Sequence, residues 1–356
     1  MAILTPANII EYLQQQGLCS SDIPWQIAEF HSRNRNFAIY HPDSQQGFFV
    51  KQLRVQVAES LRMMQREATV YWLVQNHPDF SPLSSLVPTF FKFDGKLRVI
   101  ILEWLPEGRN SLASLPREFL LSPRFGRILG TVLADLHAIA KPSHNPAPDA
   151  FIHQIPHIFT AHRNDSLRQW LGAGQMQLIS QMKDYPRLLD CLDNLVENWR
   201  VETLTHGDLK FENAIAHLQS SSPWVKLVDW ELADFGDPCW DLGCIFQAYL
   251  YLCLSTSPTQ PNLSLRKRLN QAQMQLESVS PSLQAFWQTY CQKRKNNRED
   301  ALFLERSLQC MAARTIQMAI EVMHGREKPT PLAIALLETS AEVMDDPGQI
   351  KDWFGI

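Results

Sequence analysis

The hydrophobic period changes once along this chain, and that change limits the fold more than any other feature. Up to about Gly108 most apolar runs have strand character: Trp25 to Phe30, Phe37 to Tyr40 and Gly47 to Leu53 are β-rich and separated by polar, turn-forming residues. A hairpin pattern follows, with Val87 to Phe93, the turn Asp94-Gly95, and Leu97 to Leu102. Two helices interrupt these strands. Thr5 as N-cap, Pro6 at the first helical position, apolar Ile9, Ile10 and Leu13, and Gly17 as a stop predict the first. Leu61, Met64, Ala68 and Tyr71 recur at helical spacing and predict the second, between Val57 and Gln75.

Beyond Glu103-Trp104-Leu105-Pro106-Glu107-Gly108 most periodic segments are helical. Ser122 and Pro123 open a helix with the apolar face Phe125, Leu129, Val132 and Leu136, ending near His137. The proline-containing stretch 141–163 reads as an irregular connection, with helices resuming from about Ser166 to Val201 and again over Ala301 to His324. One hairpin breaks the pattern: Ala214 to Leu218 and Trp224 to Trp230 flank the turn Gln219 to Pro223. At 356 residues two lobes are expected. The reading is an α+β chain, with a small N-terminal antiparallel sheet plus helix in residues 1–104 and a larger, mainly helical C-terminal lobe in residues 105–356.

Composition removes several classes of function. Hydrophobic residues make up 45% and charged residues 20%, so the chain is expected to bury a sizeable core. The net charge of -4 gives no basic field for nucleic acid or anionic lipid, and the run from Lys293 to Arg298 reads as a solvated turn. The seven cysteines are scattered, never in a C-x-x-C pair, and read as reduced core residues of a cytoplasmic protein. The N-terminus has no secretory pattern, and no apolar run approaches the roughly 20 residues of a membrane helix.

The chemistry concentrates in His206-Gly207-Asp208-Leu209-Lys210-Phe211-Glu212-Asn213 and in Val228-Asp229-Trp230-Glu231 beyond the hairpin. Phosphoryl transfer to a hydroxyl needs one carboxylate to orient the attacking oxygen and accept its proton, and an amide and second carboxylate to hold Mg2+ on the nucleotide phosphates. Asp208, Asn213 and Asp229 supply those groups at separations that fit a loop, a two-stranded return and a strand end. Any one alone reads as an ordinary loop or capping residue; the three with the hairpin between them do not. His206 reads as a brace for the loop. Lys51, in the strand Phe48 to Leu53, reads as the α/β-phosphate ligand of ATP, or in isolation as a snorkelling strand lysine. Rotation of about 100° per residue leaves Glu67 flanking the apolar stripe of its helix, where it can pair with Lys51.

These residues and their order resemble the aminoglycoside phosphotransferase and choline kinase superfamily. The likeness rests also on Arg66-Glu67-Ala68, Ile101 to Pro106, Leu133 to His137, and Gly236 to Gly243. It implies a protein-kinase-like two-lobed fold, with ATP and Mg2+ acting on a small hydroxyl-bearing acceptor. It further implies that Asp208 is catalytic, that Asp241 braces its loop, and that the backbone of Leu102 to Trp104 meets adenine. Only eleven residues separate Asp229 from Asp241, too few for the activation segment on which protein kinases dock a peptide.

Two departures stand out. The phosphate loop, His31 to Asn36, has no glycine, leaving Ser32 to replace a backbone donor. Lys210 either touches the γ-phosphate or faces solvent. The acidic residues Glu231, Asp234 and Asp237 interleave with Trp230, Phe235 and Trp240; these aromatics read first as packing under the loop, with recognition of a cationic alcohol as the alternative. The glycine-free loop also leaves open a pseudokinase, a nucleotide sensor or partner-binding scaffold without turnover.

Overall fold

The computed structural model describes residues 3–20, 22–44, 46–54, 57–105, 115–142, 145–164, 171–217, 224–255, 265–295 and 300–356. The chain divides into two compact units. The first comprises residues 1–115, 142–152 and 211–233, and the second comprises 116–141, 153–210 and 234–356.

In the first unit, strands β1 (Gln26–His31), β2 (Arg35–Tyr40), β3 (Gly47–Gln52), β4 (Phe90–Asp94) and β5 (Val99–Glu103) form one sheet in the order β1-β2-β3-β5-β4. Every neighbouring pair is antiparallel. Period-two alternation sorts its faces. Phe37, Ile39, Phe48, Val50, Val99 and Ile101 pack with Ile9, Tyr12 and Leu13 of α1 (Ile9–Gln15) in one apolar core. Phe49, Lys51 and Leu102, at the intervening positions, line a cavity instead. Helix α2 (Ala58–Asn76) buries Met64, Ala68, Tyr71 and Val74 together with Glu67.

α1 starts later than its sequence pattern suggests. Asn8 rather than Thr5 precedes its first turn, and Thr5 instead accepts the amides of Asn8 and Ile9. Gly17 ends it at φ 73°, in the left-handed region that glycine tolerates. The hairpin of the first unit pairs Ala214–His217 with Trp224–Leu227; its expected turn, 219–223, lies outside the described residues.

The second unit is mainly helical. α3 (Pro123–Leu136) is capped as expected, with Ser122 Oγ accepting the Phe125 amide. α4 (Ala173–Gln181) and α5 (Pro186–Glu197) follow, while residues 166–170 of the predicted helical stretch lie outside the described residues. Then come α6 (Pro238–Ser255), α7 (Leu265–Arg294), α8 (Asp300–Glu321), α9 (Pro331–Asp345) and α10 (Pro347–Phe354). A short antiparallel pair, Thr203–Thr205 with Asp234–Gly236, was not evident in the sequence, because three-residue strands carry no period. Of the run from Lys293, Lys293 and Lys295 are exposed and Lys295 lies in a turn. Lys293 and Arg294 finish α7, where Lys293 pairs with Asp135 at 2.6 Å and Arg294 donates to the His137 carbonyl. Residues 296–299 lie outside the described residues. All seven cysteines are free thiols. No described helix is long and apolar enough to cross a membrane.

Candidate active site

In the first unit a cavity of about 330 Å3 opens against the sheet face that carries Lys51. Phe30, Phe49, Leu102, Trp104 and Leu105 form its apolar wall, and Lys51, Glu67, Asn213 and Asp229 its polar end. Lys51 reaches that end because it alternates with Val50, which is buried in the core on the opposite face. Its Nζ lies 2.7 Å from Glu67 and 2.5 Å from Asp229. The Lys51–Glu67 pair expected from helical rotation is therefore present.

Glu67, Asp229 and Glu231 place carboxylate oxygens within 4.8 Å of one another. Three hard oxygen donors so grouped suit a divalent cation such as Mg2+. Asp229 sits at φ 67°, a left-handed conformation that aspartate tolerates better than most residues, between the hairpin and the turn Trp230–Leu232. Burial pushes the Lys51 ammonium down, but Glu67, Asp229 and Glu231 outweigh it and hold the group above its usual range. Burial pushes the Glu67 carboxyl up; Lys51 draws it back, and Asp229 pushes in the same direction as burial. Lys51 is thus a cation held among carboxylates. Asn213 lines the same cavity, and its carbonyl accepts the Val228 amide at 2.9 Å, which ties it to the segment bearing Asp229.

Two groups expected at the nucleotide site have partners within the protein. Ser32 Oγ donates to the Asn34 carbonyl at 3.0 Å and accepts the Asn34 amide at 3.2 Å. The turn has consumed its own donor. Trp104 donates its backbone amide to the Gly47 carbonyl at 2.9 Å, and Leu102 lies within the β3-β5-β4 ladder. Both residues line the cavity, with the Trp104 amide engaged by the sheet. Glu103 between them accepts from Thr89 and pairs with Lys226 at 3.1 Å, which fixes β5 to the hairpin.

The Asp208 loop lies in the second unit. Asp241, in the first turn of α6, accepts the amides of His206 at 2.7 Å and Gly207 at 3.0 Å. The Trp240 indole donates to the Gly207 carbonyl at 2.7 Å, and Gly207 takes φ 82°. Buried His137 lies between Asp241 and the Tyr290 hydroxyl. Asp208 itself pairs with Lys210 at 2.6 Å. Burial pushes Lys210 down, but Asp208 outweighs it and the net direction is upward.

Arg314 of α8 was missed by sequence reasoning. It is 1% exposed, reaches Asp208 at 3.4 Å and Glu321 at 3.3 Å, and no motif marks it. The aromatic residues after Asp229 are packing: Trp230, Phe235 and Trp240 are all buried. Asp234 accepts the amides of His153 and Gln154, and Asp237 pairs with Arg306.

Residues 27–273 match the model of the phosphotransferase enzyme family. Among solved structures, the chain is similar to an ethanolamine kinase of Plasmodium vivax, with a TM-score of 0.60 and 12% identity over 95% of this chain and 89% of that one. It is also similar to a choline kinase from Cryptosporidium parvum Iowa II, at TM-score 0.57 and 10% identity over 99% and 100% of the two chains. A microcompartment-associated aminopropanol kinase gives TM-score 0.54 and 15% identity over 94% and 96%. The likeness is one of fold, the protein-kinase-like two-lobed α+β fold. No curated protein matches the chain.

Proposed function

Because the chain belongs to the phosphotransferase enzyme family, we propose that it moves the γ-phosphoryl group of ATP, held with Mg2+, to a hydroxyl of a small molecule. The observation that carries this reading is the polar end of the cavity, where buried Lys51 bridges Glu67 and Asp229 beside a group of carboxylate oxygens. Residues 1–104 act as the nucleotide-binding lobe and residues 105–356 as the catalytic and acceptor-binding lobe, in a cytoplasmic protein. Adenine lies against the apolar wall that includes Leu102 and Trp104, and Lys51 meets the α- and β-phosphates. Asn213 and Asp229 hold the metal; when bound, Mg2+ neutralises charge on the phosphates and polarises the phosphoryl group. Asp208 orients the acceptor hydroxyl and takes its proton late. Lys210, which pairs with Asp208 in the nucleotide-free chain, meets the γ-phosphate.

The similar solved kinases are named for ethanolamine, choline and aminopropanol. A cationic amino alcohol is therefore the first acceptor class to test. A second reading, a pseudokinase acting as nucleotide sensor or partner-binding scaffold, draws on the glycine-free loop, and the engaged Ser32 hydroxyl and Trp104 amide lean it toward the scaffold. The two separate in an ADP-release assay with Mg-ATP and those three amino alcohols, run on the native chain and on Asp208→Asn. Acceptor-dependent ADP release that disappears in the variant is expected. Undiminished release in Asp208→Asn sinks the assignment of the base, and binding of Mg-ATP without release under any acceptor favours the sensor.

A further inference from the structure

The turn joining β1 to β2 lacks the glycine that lets a backbone close on phosphate oxygens. Its serine hydroxyl is also engaged within the turn. Beyond its two bonds with Asn34, Ser32 Oγ accepts Asn36 Nδ2 at 3.0 Å. A hydroxyl with its single proton committed cannot serve a phosphate without undoing the turn. Arg33 is different. Its Nη2 lies 2.7 and 2.5 Å from the two oxygens of Glu231, so a carboxylate outside the turn holds it. Glu231 in turn belongs to the carboxylate group with Glu67 and Asp229, where Lys51 also sits.

We propose that Arg33 is a phosphate ligand for the nucleotide, stationed on Glu231 in the nucleotide-free chain and passed to the polyphosphate when a divalent cation reaches the carboxylates. This rests on the functional reading above and adds to it the group that replaces the missing glycines. Three carboxylates here face two cations, Lys51 and Arg33. A polyphosphate entering without a cation meets net negative charge. A divalent ion compensates the carboxylates and frees the guanidinium, whose planar fork matches phosphate oxygens. Arg33 is 56% exposed and Glu231 14%, so the guanidinium end of the pair is open to solvent and can leave. Nor does the turn need the ion pair to keep its shape, since Ser32 already closes it from within.

The test is calorimetric titration of the full chain with a non-hydrolysable ATP analogue in Mg2+, and with adenosine as a probe that carries no phosphate. Arg33→Ala is expected to weaken the analogue by roughly 10- to 100-fold, the range of a charge-assisted hydrogen bond, and to leave adenosine unchanged. Arg33→Lys should recover only part of that loss, because an ammonium keeps the charge but not the planar fork. Arg62→Ala, which removes an equal charge from α2, should bind as the native chain does. Native-like binding by Arg33→Ala overturns the proposal. Equal weakening of adenosine, or an equal loss in Arg62→Ala, overturns it too. Absence of analogue binding to the native chain contradicts the functional reading itself, and so is distinct from a failure of Arg33 alone.

Discussion

Glu67 is 2% exposed against a Lys51 that is 7% exposed, so neither charge has water to fall back on. Removing one member of a buried ion pair leaves the other uncompensated, which typically costs about 3–5 kcal/mol. Asp229 still faces Lys51, so Glu67→Ala is expected near the lower figure, about 3 kcal/mol in urea unfolding. A change within about 0.5 kcal/mol, as at an ordinary surface site, contradicts the pairing. This pair was legible in the sequence because strand period and helical rotation are local rules, and both of its members obey them. Arg314 and Arg33 were not. Arg314 meets a partner 106 residues away in the chain, and Arg33 one 198 residues away. No periodicity links residues so distant. Ser32 shows a related limit: composition reveals that a hydroxyl is present, not which partners it has within the turn.

Among the elements, α3 and α7 pack through glycine. A Cβ on Gly126 would lie 1.9 Å from the Ser282 carbonyl oxygen, and one on Gly130 would lie 2.5 Å from that of Phe286. Backbone cannot retreat as a side-chain tip can. Gly126→Ala should therefore cost at least the 1–3 kcal/mol or so of ordinary overpacking, read as a lower urea midpoint. An unchanged midpoint contradicts this packing. The end of α3 also carries buried His137, whose pKa burial pushes down, against the pull of Asp241. The unfolded chain takes up that proton near pH 6.5, and the folded chain does so only at lower pH. Its contribution to stability is thus full above about pH 6.5 and declines as pH falls below it. His137→Gln should flatten the fall in stability between about pH 6.5 and 5 relative to the native chain. An identical slope in the variant contradicts the buried neutral imidazole. The caps at Ser122 and Gly17 were readable, because each satisfies or ends a helix by its own chemistry. The short strand pair at 203–205 and 234–236 was not, since only its partner defines it.

For the whole molecule, the single change of hydrophobic period foretold the α+β division, a sheet-bearing first part and a helical remainder. It did not show that residues 142–152 and 211–233 join the first unit. That membership depends on contacts such as Leu227 with Leu86 and Arg66 with the Ala150 carbonyl, which tie distant segments together. It matters for function, because it brings Asn213 and Asp229 to the cavity that holds Lys51. The central claim is that this cavity is a Mg-dependent nucleotide site. Its most direct test is calorimetric binding of a non-hydrolysable ATP analogue, with and without Mg2+, to the native chain and to Asp229→Ala. Binding that requires Mg2+ and is lost in the variant is expected; no binding to the native chain, or metal-independent binding that survives in Asp229→Ala, contradicts it.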